Sequence, residues 1–225
     1  MQAADSFTSK MPLAATEPEP DCKLCPRLVK LRRKMQGEHP DWWNAPVPAW
    51  GDRNAWLAIL GLAPGMKGAN RTGRAFTGDA SGDLLFATLN KTQLSSGEFD
   101  GHAGDGVSLE GCIILNVVKC LPPENKPTLK EANNCRRFLT AQLAQLGELK
   151  IFVALGKIAH DSFIRHIGGK QADYKFGHMH EHVLPDGRIL LDSYHCSRYN
   201  TQTGRLTPEM FEAVFERAKA FKNQP

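Results

Sequence analysis

Four short apolar runs, at residues 56–62, 112–118, 151–155 and 189–191, lack the alternation of a half-buried strand. Rich in Ile, Val and Leu, they read as parallel strands covered on both faces. Between them the apolar spacing is helical. Leu24, Leu28, Leu31 and Met35 form one stripe, with Arg27, Lys30 and Lys34 on another face. Residues 83–89 and 157–164 predict two more helices. Thr128 and Glu131 form a capping box ahead of the stripe Ala132, Cys135, Leu139, Leu143 and Leu146. Thr207-Pro208-Glu209 opens the last helix, with Phe211, Val214, Phe215 and Ala218 on its buried side. A first helix followed by strand–helix repeats predicts a three-layer α/β/α fold on a central, mainly parallel four-stranded sheet. No internal repeat is visible. Residues 92–111 read as a long polar loop, and 36–54, with three tryptophans and three prolines, as a packed irregular segment.

Composition narrows the picture. The 225 residues suit a tail at 1–20 and a single domain at 21–225. The tail has four acids within residues 1–21 against Lys10 and no apolar signal core, so it reads as disordered. No run reaches the ~20 apolar residues of a membrane helix, which implies a cytoplasmic protein with no membrane partner. Nothing in the pattern calls for an obligate dimer, so a monomer is expected. The net charge of +4 permits a polyanionic partner without demanding one.

Six cysteines without a secretory signal point to metal binding or catalysis rather than disulfides. Cys22 and Cys25 stand at the start of the first helix, Cys120 at the end of a strand, and Cys135 in the following helix. Thiolates select zinc or iron–sulfur centres, and spacing alone does not separate the two. His178, His180 and His182 alternate, but Phe176-Gly177 before and Pro185-Asp186-Gly187 after them read as a surface hairpin rather than a metal site.

Two polar loops follow buried strands, where an α/β sheet builds its site. The first contains Gly61-Leu62-Ala63-Pro64-Gly65, Asn70-Arg71-Thr72-Gly73-Arg74 and Phe76-Thr77-Gly78-Asp79; the second contains His195-Cys196-Ser197-Arg198-Tyr199-Asn200 and runs on to Arg205. With Asn116-Val117-Val118-Lys119-Cys120 between them, this chain resembles the family 5 uracil-DNA glycosylases from about Cys22 to the last helix. The chain departs from the family's pattern at Gly65-Met66-Lys67, where Ala and His are more usual, and at Cys196, where Pro is usual.

The resemblance implies cleavage of the N-glycosidic bond of uracil or another deaminated base, such as hypoxanthine, in DNA, leaving an abasic site. It also implies a [4Fe–4S] cluster on Cys22, Cys25, Cys120 and Cys135, with zinc the weaker alternative. Such chemistry requires a flipped base. Phe76 offers an aromatic face. Asn116, an amide inside an apolar strand, can pair with N3–H and O4 of uracil. Gly61, Ala63 and Gly65 offer backbone N–H groups and close approach, and Ser197 and Asn200 complete the substrate loop. His195 can donate to the O2 of the departing base. Asp79 can orient the attacking water, or serve only as a helix cap. Arg71, Arg74 and Arg205 are expected at phosphates, and Arg198 and Tyr199 where a wedge enters the stack. No lysine stands where a Schiff-base lyase needs one, and Cys196 lacks a base partner other than His195. Two other readings stay open: a non-catalytic iron–sulfur protein that binds nucleic acid, and a thiol-dependent or redox enzyme working through Cys196.

Overall fold

A computed structural model describes residues 16–223. Helices α1 (Pro26–Glu38), α2 (Ala69–Thr72), α3 (Ala80–Lys91), α4 (Leu129–Ala144), α5 (Lys157–His166), α6 (Arg198–Gln202) and α7 (Pro208–Lys222) alternate with eight strands. These are β1 (Trp50–Gly51), β2 (Leu57–Gly61), β3 (Ser95–Ser96), β4 (Ser108–Leu109), β5 (Cys112–Asn116), β6 (Ile151–Leu155), β7 (Glu181–Val183) and β8 (Ile189–Ser193).

The central sheet runs β1-β5-β2-β6-β8-β7, with β3 and β4 pairing apart from it. The inner four strands are parallel, and β1 and β7 add antiparallel edges. The sheet therefore has six strands, not the four expected. A two-residue strand and a three-residue one with burial pattern exposed–intermediate–exposed carry no apolar run to announce them. All five residues of β2, β5 and β6 are buried. Leu57, Ile59, Ile114 and Val153 face α3 and α7 in one core, while Ala58, Leu60, Ile113 and Phe152 face α4 and α5 in the other. Cover on both faces is why these strands read as unbroken apolar runs. Helix α1 closes a third, smaller core through Leu28 against Val117 and Val118.

Caps follow the expected chemistry. The Thr128 hydroxyl accepts from the Glu131 N–H, while the Glu131 carboxylate accepts from the Thr128 N–H. Thr207 caps α7, with Pro208 in its first turn. Of the tail expected at 1–20, residues 1–15 lie outside the described residues. Glu17 is tied down: its Oε1 accepts from the Ala49 N–H and the Gln142 amide, so ordered structure begins ahead of residue 21.

Strand β2 connects to β5 on one side and β6 to β8 on the other, so the crossover direction reverses at the β2–β6 boundary. Open α/β sheets place ligands outside the carboxyl ends of strands at such a point.

Candidate active site

The main pocket opens at that boundary, with a volume of about 500 Å³, within the usual ligand-site range of about 300–1,000 Å³. Leu62, Ala63 and Gly65 follow β2, Leu155 and Gly156 end β6, and His195 follows β8. Phe76, Asp79, Ser197, Asn200 and Arg205 also line it, so both sequence loops meet here.

Asp79 holds two positions at once. Its Oδ1 accepts from the Ser81 N–H at 3.0 Å and caps α3. Its Oδ2 lies under the first loop, where a Cβ on Gly65 would come within 3.1 Å and one on Gly68 would collide outright. The cap fixes the carboxylate of a residue that lines the pocket.

Phe76 adopts φ 54°, a left-handed conformation rare for a bulky residue and concentrated at functional sites. Its ring stands 6.1 Å from that of His195. Behind it, Asn116 is 4% exposed at the end of β5 and does not line the open pocket. A Cβ on Gly61 would strike the Asn116 Oδ1 and press on Phe76, so glycine there lets ring and amide sit against the strand.

His195 is half-buried. Burial pushes its imidazole below the usual value, against the opposing pull of Asp79, and so favours the neutral ring. The His195 carbonyl accepts from the Asn200 amide at 2.8 Å, and the Ser197 hydroxyl caps α6. These two residues hold the His195 loop as well as lining the pocket. Gly156, at φ 93°, lets β6 turn into α5 with room for His195 beside it. The Cys196 thiol is fully buried and desolvation holds it far above the usual thiol range, so it faces the core rather than the pocket.

Among the expected phosphate ligands, Arg71 and Arg205 are exposed, as are Arg198 and Tyr199, expected at the wedge. Arg205 lies over the Tyr194 ring at 4.5 Å. Arg74 requires a correction. It is buried, donates to both Asp105 oxygens at 2.7 and 2.6 Å, and sits over Trp50, Phe86 and Phe99. A guanidinium committed inside the fold does not reach a phosphate. Lys119 is also buried, with its ammonium 3.7 Å from Glu17.

Sequence reasoning missed Asn125, Phe176, Tyr194 and the first turn of α5, all of which line the pocket. Asn125 follows Glu124, both at positive φ, in the turn after Cys120. The run Pro122-Pro123-Glu124-Asn125 signals a turn, but nothing local says that the turn reaches the pocket.

The thiols of Cys22, Cys25, Cys120 and Cys135 converge on a separate apolar crevice with Leu28 and Val118. Burial pushes the Cys120 and Cys135 thiols up to about 12 and about 11, so a bound metal group is what would favour their thiolates. The Lys119 N–H points at the Cys135 sulfur (3.4 Å), the Asn134 amide at that of Cys25 (3.6 Å), and the Arg32 guanidinium at that of Cys120 (3.9 Å). Donors aimed at sulfur suit a set of thiolate ligands. Among the described residues, His160, His182 and Asp192 form a group with all ligand atoms within 4.8 Å of one another.

A doubly covered parallel sheet, with an acid, an imidazole and an aromatic ring lining a pocket at its switch point, has the arrangement of an α/β enzyme site. The uracil DNA glycosylase superfamily model matches residues 48–219, and the chain belongs to that superfamily. It is 45% identical to the type-5 uracil-DNA glycosylase of Thermus thermophilus, over 88% of this chain and 92% of that one. Identity to the Pyrobaculum aerophilum type-5 enzyme is 40%, over 89% and 88%. The type-4 uracil-DNA glycosylase of Thermotoga maritima is more distant, at 31% over 64% of this chain.

Proposed function

We propose that this protein is a monofunctional DNA glycosylase that hydrolyses the bond between uracil, or another deaminated base, and its deoxyribose, leaving an abasic site. The observation that carries the reading is the meeting of Asp79, His195 and Phe76 in one largely apolar pocket, in a chain of this superfamily.

In this reading a flipped base stacks on Phe76, and its edge enters past the ring to the buried Asn116 amide, which the open pocket does not reach without the base. Uracil offers a donor at N3 and an acceptor at O4, and a carboxamide satisfies both. The C1′–N1 bond breaks with its electron pair leaving on the base, and negative charge gathers at O2. A neutral His195 donates a hydrogen bond there, an electrostatic contribution of the oxyanion type. Asp79 orients a water whose oxygen bonds to C1′ and stabilises positive charge on the sugar; one proton of that water passes to the departing base. Asn125, from the opposite rim, is a second carboxamide within the pocket. Arg71 and Arg205 hold the backbone, and exposed Arg198 and Tyr199 stand where a side chain fills the gap in the stack.

The four cysteines are assigned a [4Fe–4S] cluster: N–H donors aimed at three of the sulfurs suit thiolate ligands of such a group. The cluster ties α1 to the turn after Cys120, a structural role.

The test is a labelled duplex with one U opposite G, followed by alkali. Strand cleavage only after alkali, lost in Asp79→Asn and His195→Ala while DNA binding persists, is expected. Cleavage without alkali would overturn the monofunctional assignment. No base release from uracil or hypoxanthine by iron-replete protein would favour a binding-only role.

A further inference from the structure

His160, Asp192 and His182 form a polar knot that the chemistry above does not use. His160 in α5 and Asp192 in β8 are both fully buried. His160 Nδ1 lies 2.7 Å from Asp192 Oδ1, and His160 Nε2 lies 2.9 Å from the Tyr174 carbonyl oxygen. The other Asp192 oxygen meets His182 Nε2 at 3.0 Å and the Gly177 N–H at 3.3 Å.

A carbonyl only accepts, so His160 Nε2 carries hydrogen. A neutral ring would then turn a bare Nδ1 lone pair toward a carboxylate oxygen at 2.7 Å. Something positive must lie between them. A tetrahedral metal with 2.0–2.1 Å bonds holds its ligand atoms about 3.3 Å apart. The observed separation is that of a charge-assisted N–H···O bond, and a proton fits where a metal ion does not. Burial alone would depress the His160 imidazole. The bond and charge of Asp192, with the Tyr174 carbonyl, outweigh it and leave the value raised. The charged and titratable groups around the ring are Asp192 from β8, His182 from β7 and Asp161 from its own helix.

The two backbone groups held by this knot flank Phe176. Its ring stands edge-on to His160 at 5.6 Å and lines the main pocket beside Tyr194. We propose that His160 is an imidazolium whose pair with Asp192 clamps residues 174–177 and so fixes Phe176 as a wall of the base pocket. His160 and Asp192 are thus positioning residues acting through Phe176. The assignment rests on that pocket receiving the base.

Two measurements test it. Nitrogen NMR of histidine-labelled protein, held at the ordinary imidazole value of about 6.5, should show both His160 ring nitrogens predominantly protonated, with the signals assigned by their loss in His160→Gln. A pyridine-like nitrogen at His160 would overturn the clamp. In single-turnover base release, Asp192→Asn should raise the half-saturating DNA concentration about tenfold while the maximal rate stays within about twofold. Phe176→Ala should do the same, and the double variant should lose no more than Phe176→Ala alone. Additive losses, or a fall in maximal rate alone as the folded fraction drops, would mean a merely structural pair. If Asp192→Asn does not fold, His160→Gln enters the same cycle. Absence of base release by the unaltered protein would count against the pocket assignment, while the nitrogen shifts, read without DNA, still decide the clamp.

Discussion

The burial of Arg74 makes a strong claim about a residue whose loop position invites a DNA contact. Its guanidinium donates in parallel to Asp105 and, through Nε, to Thr77 Oγ1 at 2.7 Å; the paired side chains are 4% and 1% exposed. The Asp105 carboxylate also accepts from the Asp100 and Val107 N–H groups. Asp105→Asn would leave the guanidinium buried without a counter-charge, which costs about 3–5 kcal/mol. At about 2–4 °C per kcal/mol for a domain of this size, Tm should fall by roughly 6–20 °C. Arg74→Met with Asp105→Leu removes both charges and keeps apolar volume under Trp50 and Phe86. It should stay within about 2 kcal/mol of the native protein. Thermal unfolding reads the stability, and the salt dependence of DNA affinity reads the contact. An arginine on a phosphate adds about 0.9 to the slope of log affinity against log salt, so the double variant should leave that slope unchanged. A native Tm in Asp105→Asn, or a slope reduced by about one in the double variant, would refute the argument. Acid gives a second check. The Arg74 guanidinium holds the Asp105 carboxyl well below the usual carboxylate range. The stability it contributes is complete above the unfolded value of about 3.9 and fades as pH falls toward the lower folded value.

Four further outcomes are expected. Gly61→Ala sets a Cβ against the Asn116 Oδ1 and Phe76; single-turnover base release should drop about 10²-fold while stability changes by no more than about 3 kcal/mol. Burial lowers the His195 imidazole, so base release that uses the neutral ring should keep its acidic limb below about 6.5; a limb at or above that value would remove the electrostatic argument. His166 is pushed down to about 4 by burial and by Arg136 and Arg188. From about pH 6.5 down to 4 the unfolded chain therefore takes up a proton that the native chain refuses. Stability should fall over that window, and His166→Leu should flatten the fall in urea unfolding. Cys135→Ser should lower bound iron, measured by elemental analysis against protein; unchanged iron in that variant would exclude Cys135 as a ligand.

Much of this architecture was legible in the chain because burial on two faces leaves a strong signature. Leu57–Gly61, Cys112–Asn116 and Ile151–Leu155 were readable as unbroken apolar runs, and the Thr128 and Thr207 caps marked helix starts to the residue. Edge strands β1 and β7 were not readable, since their order comes from pairing with a neighbour rather than from their own side chains. The same limit governs the site. Asp79, His195 and Phe76 stood in loops with recognisable local chemistry. Arg74 stood in the same loop with the same local signal, and its partner Asp105 lies in a polar stretch 31 residues away. A long-range ion pair has no periodicity to reveal it.

Asn125 and the cysteines show how one segment links two sites. Strand β5 ends at Asn116 behind the pocket, passes Val117 and Val118 beneath α1, delivers Cys120 to the thiol crevice, and turns through Pro122 and Pro123 to place Asn125 at the pocket rim. Cys135, one turn and a half into α4, returns to the same crevice. Both ends of the Asn125 turn thus lead to the cysteines proposed as metal ligands, whereas Asp79 is fixed by its own helix cap and His195 by Asn200. Loss of the metal group should therefore loosen Asn125 while sparing the acid and the imidazole. Gentle iron removal should expose the 120–128 turn to amide hydrogen exchange before the 76–81 and 193–200 segments. Equal exposure of all three would show that the metal centre supports the whole fold rather than this turn.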